Sequence, residues 1–190
     1  MTDLFALLGE TRRPWLDPQA LKEKYHRLAS LHHPDIQTGE SPDFADINRA
    51  YQTLAEPAPR LRHFLELETP GSLSHLQAVP EDIAAFFAPV AEARQAADAF
   101  FKKHAAAASP LAKALLSTEQ YQAQERIEAA IAALHGKEEA LLAQLREADT
   151  LWQTNHEAAL RPLPALWHSL GYIAKWLAML REALFRFASL

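Results

Sequence analysis

A proline placed at the end of a helical run limits this chain more than any other residue. Tyr25-His26-Arg27-Leu28-Ala29-Ser30-Leu31-His32 has the make-up of a basic amphipathic helix, and His33-Pro34-Asp35 follows it directly. Proline has no N–H to donate, and its ring clashes with the preceding helical turn. It also drives the residue before it out of the α region. The helix must therefore stop at about His32, with His33, Pro34 and Asp35 on a loop. Loops held by a rigid scaffold are where binding groups are displayed. Here the displayed group is a carboxylate just beyond a basic helix.

The flanking sequence predicts a small helical domain. Asp17-Pro18 opens the basic helix, with Asp as the cap and Pro at the first helical position. Leu21, Tyr25, Leu28 and His32 recur at helical spacing and form one face. Lys22, Lys24, His26 and Arg27 lie on the other, with Glu23 as its acid. Ahead of it, Asp3 to Leu8 predicts a short helix capped by Asp3 and closed by Gly9, followed by a loop over 10–16. Beyond Asp35, residues 36–41 are a polar loop and Pro42-Asp43 starts a third helix. There Phe44, Ile47, Ala50, Tyr51 and Leu54 share a face. The two facing stripes predict an antiparallel hairpin, with Leu4, Phe5 and Leu8 laid across it. Pro57 and Pro59 end the third helix, and Arg60 to Leu67 predicts a fourth, apolar at Leu61, Phe64, Leu65 and Leu67.

Residues 69–80 read as a linker, from Thr69-Pro70-Gly71-Ser72 to Val79-Pro80. The composition then shifts toward alanine. With only five glycines in 190 residues and an abundance of Ala, Leu, Glu and Gln, the expected class is all-α. A helix is expected from about Glu81 to His104, either kinked at Pro89 or starting just before it. Its Phe86, Phe87, Phe100 and Phe101 are expected in the core. Ser109-Pro110 is another cap-plus-proline start. Ile127, Ile131, Leu134, Leu141, Leu145, Ala148 and Trp152 keep one heptad register through Gly136. That favours one long helix over two helices split by a glycine cap. Pro162 and Pro164 mark a turn, and Leu163 to about Ala188 forms the last helix. The expected organisation is a helical domain over 1–68, a linker over 69–80 and a three-helix bundle over 81–190.

Several function classes lose support on composition. Cysteine is absent, which removes disulfides, thiolate metal sites and a thiol nucleophile. The net charge of -5 argues against a broad nucleic-acid surface. The histidines are scattered or adjacent, never in a zinc-binding helical pair around a glutamate. There is no glycine-rich phosphate loop and no catalytic constellation, so neither a metal nor a cofactor is expected. No N-terminal signal and no run of about 20 apolar residues is seen, and the expected location is cytoplasmic.

The first seventy residues resemble the J domain of DnaJ-type co-chaperones. The likeness rests on the short first helix, on Tyr25-His26-Arg27-Leu28-Ala29, on His33-Pro34-Asp35, and on Ile47-Asn48-Arg49-Ala50-Tyr51-Gln52-Thr53-Leu54. The chain is similar in particular to the HscB-type co-chaperones of iron–sulfur cluster assembly, whose J domain precedes a three-helix bundle. Arg60-Leu61-Arg62-His63-Phe64-Leu65-Glu66-Leu67, Ala85-Phe86-Phe87 with Glu92, Arg94 and Asp98, and the pair Tyr172 and Lys175 carry that likeness. It implies docking on a DnaK/HscA-type chaperone through Lys22, Lys24, Tyr25, His26, Arg27, His33, Pro34 and Asp35, and stimulation of that partner's ATPase with no catalysis by this chain. It also implies a cargo face, for a cluster scaffold, at Phe87, Ala88, Ala91, Glu92, Gln95 and Tyr172. This stretch is less acidic and less bulky than the family's face and contains Pro89. The N-terminal metal-binding cysteine pairs of some members are absent.

A reading from another class starts at the last helix. Trp167, Tyr172, Trp176, Phe185 and Phe187, with Lys175, Arg181 and Arg186, suit an adaptor that oligomerises or attaches to a membrane surface. Core packing is the plainer account of the same residues. An enzyme would need coupled ionisable groups around a pocket, and the sequence offers none.

Overall fold

The computed structural model describes residues 2–31, 44–71, 73 and 79–190. Among them every regular element is helical: α1 (Leu4–Leu7), α2 (Pro18–Leu31), α3 (Phe44–Ala55), α4 (Pro57–Glu68), α5 (Glu81–Ala84), α6 (Phe87–Ala106), α7 (Pro110–Ala114), α8 (Ser117–Trp152), α9 (His156–Leu160) and α10 (Leu163–Ala188). The all-α class is as expected. The chain divides into two compact units. One comprises Met1–Ala78 and Leu142–Gly171, the other Val79–Leu141 and Tyr172–Leu190. Residues 142–171, placed with the bundle on sequence, thus group with the N-terminal residues.

In the first unit local chemistry sets the helix ends. The Asp3 carboxylate accepts from the N–H groups of Phe5 and Ala6 at 3.0 and 3.3 Å and caps α1. Gly9, at φ 63°, turns the chain away in a conformation that suits glycine. Asp17 accepts from the Ala20 N–H at 2.8 Å and caps α2. Packing of α3 against α1, α2 and α4 buries Leu4, Phe5, Leu8, Leu21, Ile47, Ala50, Leu54, Leu61, Phe64 and Leu65. The third helix ends before Pro57, as expected, but the prolines also open the fourth helix, which was expected only from Arg60. Glu56 is extended and Pro57 and Pro59 open α4, where a missing N–H costs nothing because first-turn donors have no intrahelical acceptor.

In the second unit Pro89 also lies in a first turn. Helix α6 begins at Phe87, after the separate turn α5, so the proline marks a start and not a kink. Ser109 caps α7 by accepting from the Ala112 N–H at 3.1 Å. That helix ends at Ala114, and α8 then runs unbroken through Gly136. Val90, Ala93, Ala97 and Phe100 of α6 share the core with Ile83, Ala123, Ile127, Ala130, Leu134, Leu141, Ile173, Leu177, Leu180 and Phe187. The phenylalanines expected in the core separate. Phe100 is buried, Phe86 and Phe101 are half-buried, and Phe87 remains 42% exposed. No helix among the described residues is long and apolar enough to cross a membrane.

Candidate functional site: a basic helix and an aromatic face

The solvent side of α2 carries Lys22, His26 and Arg27, all exposed. The spacing of Lys22 and His26 by one helical turn, with Arg27 beside them, gives a compact basic face. Lys24 does something else. Its ammonium donates to the Gly9 carbonyl at 2.5 Å and to the Glu10 carboxylate at 2.9 Å, and so ties α2 to the end of α1. Tyr25 turns inward. Its ring stacks on Tyr51 with centroids 4.1 Å apart and planes at 13°, and its hydroxyl donates to the Asn48 side-chain oxygen. His33, Pro34 and Asp35 lie outside the described residues, as do His32 and the expected helix start at Pro42-Asp43.

A polar cluster that sequence reasoning missed holds the segment leading into α2. Arg60 is buried on α4. Its Nε donates to the Pro14 carbonyl at 3.1 Å and its Nη1 to the Leu54 carbonyl at 2.7 Å. Burial, which disfavours the charged form, lowers its pKa to about 10. Opposite it, the buried Asp149 accepts from Arg13 Nε at 3.0 Å, from Arg13 Nη2, and from the Trp15 N–H at 3.1 Å. The hydrogen bond to Asp149 raises the Arg13 pKa. The guanidinium groups of Arg146 and Arg60 lie 4.4 and 5.6 Å from the Trp15 ring centroid, within cation–π range. Trp152 donates from its indole N–H to the Arg12 carbonyl at 3.2 Å, and its ring meets the edge of Phe64 at 5.0 Å. The sequence signal was a charge in a buried register. Arg60 shares a helix face with Phe64, and Asp149 shares one with Leu145 and Trp152.

On the second unit α6 presents Phe87, Ala88, Ala91, Glu92 and Gln95 to solvent, and Tyr172 on α10 is half-buried. The Phe87 ring packs edge-on against Tyr172 at 5.7 Å and Trp176 at 4.9 Å. Beside them runs an open groove of about 370 Å³ along Phe87, Ala91, Arg94, Gln95, Trp176 and Met179. Glu92 faces the opposite flank of α6, in a groove toward Arg126 and Ala129. Trp176 is therefore the neighbour missing from the expected cargo set.

Short helices packed around α3, with the basic face of α2 on the outside, make a small helical domain. Residues 3–63 match the DnaJ domain family. The "Chaperone protein DnaJ" of Acaryochloris marina is 41% identical over 63 residues, which are 32% of this chain and 16% of that protein. That of Nostoc punctiforme is equally similar over the same shares, and that of Prochlorococcus marinus is 40% identical over 65 residues, 33% of this chain and 17% of that protein. The chain thus spans about a sixth of the length of the curated relatives it matches. The N-terminal segment is a J domain, homologous to that of DnaJ chaperones.

Proposed function

We propose that this protein is a co-chaperone that docks on a DnaK/HscA-type chaperone through its J domain and stimulates that partner's ATPase, itself catalysing nothing. The observation that carries the reading is the DnaJ-domain match over residues 3–63. The exposed basic residues Lys22, His26 and Arg27 give the docking face a chemistry. They would meet an acidic surface of the chaperone, steering encounter and fixing orientation, with an attraction that salt weakens. In this reading Asp35 presents its carboxylate to an arginine of the partner, a charge-assisted bond, with Pro34 fixing its direction and His33 supporting the loop. Lys24 and Tyr25 serve the same face indirectly, by holding α2 against its neighbours.

Residues 1–68 would be the effector arm, and 81–190 would carry the client after a linker at 69–80. The Phe87, Tyr172 and Trp176 cluster supports a client face in that second part, with Ala88, Ala91, Glu92 and Gln95 around it. A cluster scaffold of iron–sulfur assembly is the client implied by the resemblance to HscB-type proteins. The test is a chaperone ATPase assay with this protein, with and without a purified scaffold. Stimulation is expected from the wild type and is expected to vanish in His33→Gln and Asp35→Asn, both still folded by circular dichroism. Wild-type stimulation by either variant would overturn the docking reading. Failure of the scaffold to add to the stimulation would overturn the client assignment alone.

A further inference from the structure

The second unit has an end whose surface chemistry the co-chaperone reading leaves unused. The C-terminal end of α6, the N-terminal end of α8 and the C-terminal end of α10 meet there. Phe101 lies 4.5 Å from Phe187, the Arg186 guanidinium lies 3.9 Å over the Phe101 ring, and Lys103 pairs with Glu119 at 2.6 Å. The α6–α8 connection, containing α7, leaves from this end. It carries Leu111 and Leu115, one turn apart and 72% and 75% exposed, and Tyr121 on α8 and Phe185 on α10 are 66% and 73% exposed. Side chains so bare stand out from the surface. They cover too little of one another to be core, and large apolar residues exposed together mark a contact.

The charges beside them indicate what is contacted. Lys102, Lys113 and Arg186 are exposed at this end, and Lys102 and Lys113 form no ion pair among the described residues. Within 101–121 and 183–190 the charged side chains are Lys102, Lys103, Lys113 and Arg186 against Glu119, which Lys103 takes up, while Asp98, paired with Arg94, and Glu182 lie one turn further along α6 and α10. The end is therefore cationic in a chain whose net charge is -5. Protruding leucine and aromatic side chains ringed by lysine and arginine suit a bilayer interface. The apolar groups enter the headgroup–acyl boundary while the cations meet anionic headgroups.

We propose that this end of the second unit, through Leu111, Leu115, Tyr121 and Phe185 with Lys102, Lys113 and Arg186, is a peripheral attachment site for an anionic lipid surface. The contact does not involve the J domain, so it stands or falls apart from the docking reading. Vesicle cosedimentation of the full chain tests it. Binding is expected to phosphatidylcholine vesicles containing phosphatidylserine, to weaken at high ionic strength, and to be slight with phosphatidylcholine alone. Leu111→Ser with Leu115→Ser should lower partitioning by about tenfold or more, and Lys113→Glu should lower it by several-fold. These positions are exposed, so circular dichroism and chaperone ATPase stimulation should match the wild type. No binding to the anionic vesicles, or binding that the double variant leaves intact, overturns the proposal. So does a dimer in light scattering that the double variant converts to monomer, because a second copy would then cover the leucines.

Discussion

Arg13 and Asp149, 136 positions apart in sequence, form a two-pronged ion pair, and the same carboxylate accepts the Trp15 N–H. The pair fixes the segment between α1 and α2 from one side, while Arg60 holds it from the other through the Pro14 carbonyl. Because Asp17 then caps α2, the same clamp governs where the basic helix begins.

Asp149→Ala would leave a partly buried backbone donor at Trp15 and strip Arg13 of its partner. Breaking a fully buried pair costs about 3–5 kcal/mol. The Arg13 side chain is 38% exposed and can regain water, so a loss of about 2–3 kcal/mol is expected. Asp149→Asn keeps one acceptor and should cost less. Urea unfolding of the full chain measures both. Equal stability of the alanine variant and the wild type would show that the clamp contributes nothing.

His63 ties stability to pH. The Leu4 N–H donates to its Nε2 at 3.0 Å, a bond that needs this nitrogen unprotonated. The ring is buried against Phe5, and desolvation lowers its pKa below the ordinary 6.5. As the pH falls, the unfolded chain takes up the proton before the folded one. The contribution of His63 is therefore complete above pH 6.5 and is lost from there downward through the folded-state pKa. Other histidines add their own slopes, so the readout is a difference. His63→Gln should lack the part of the acid-side loss that the wild type owes to this residue. Parallel stability curves from neutral pH down to about pH 5 would exclude the linkage.

Gly136 is a case where the sequence pattern was sufficient. The register from Ile127 to Trp152 passes it without a phase shift, and the helix is continuous there. The glycine is exposed, its φ is negative, and an added Cβ would meet no atom within 4 Å. Gly136→Ala should therefore stabilise the protein by about 0.5–1 kcal/mol, seen as a higher Tm. A lower Tm would place a break in α8 at this position.

What the sequence made legible shares that character. The caps at Asp3 and Asp17, the apolar stripes of α2 and α3 and the register of α8 are local patterns, each enforced by backbone geometry and burial of one face. The clamp at Asp149, the grouping of 142–171 with the N-terminal residues and the redirection of Lys24 depend on pairs distant in sequence, which periodicity does not encode. Pro57 and Pro89 lay between. A proline signals a boundary from either side, and whether it ends one helix or opens the next depends on the preceding residue's backbone, as at extended Glu56.

The split within the basic residues of α2 gives the docking reading its sharpest test. Lys22 and Arg27 face solvent, whereas Lys24 spans to Gly9 and Glu10. Reversing the exposed charges, Lys22→Glu with Arg27→Glu, removes attraction at the proposed chaperone contact without touching the fold. Chaperone affinity should fall by about tenfold or more at low salt, mostly through slower association, and the gap from the wild type should narrow as salt rises. Unfolding should be unchanged. Lys24→Met has the opposite signature. It removes a charge-assisted bond to a carbonyl and a partly exposed ion pair, which together contribute about 1 kcal/mol of stability. Its effect on association should be small beside that of the double reversal. If Lys24→Met slowed association as much as the double reversal while leaving stability intact, the docking face would include the residue that the fold ties to Gly9 and Glu10.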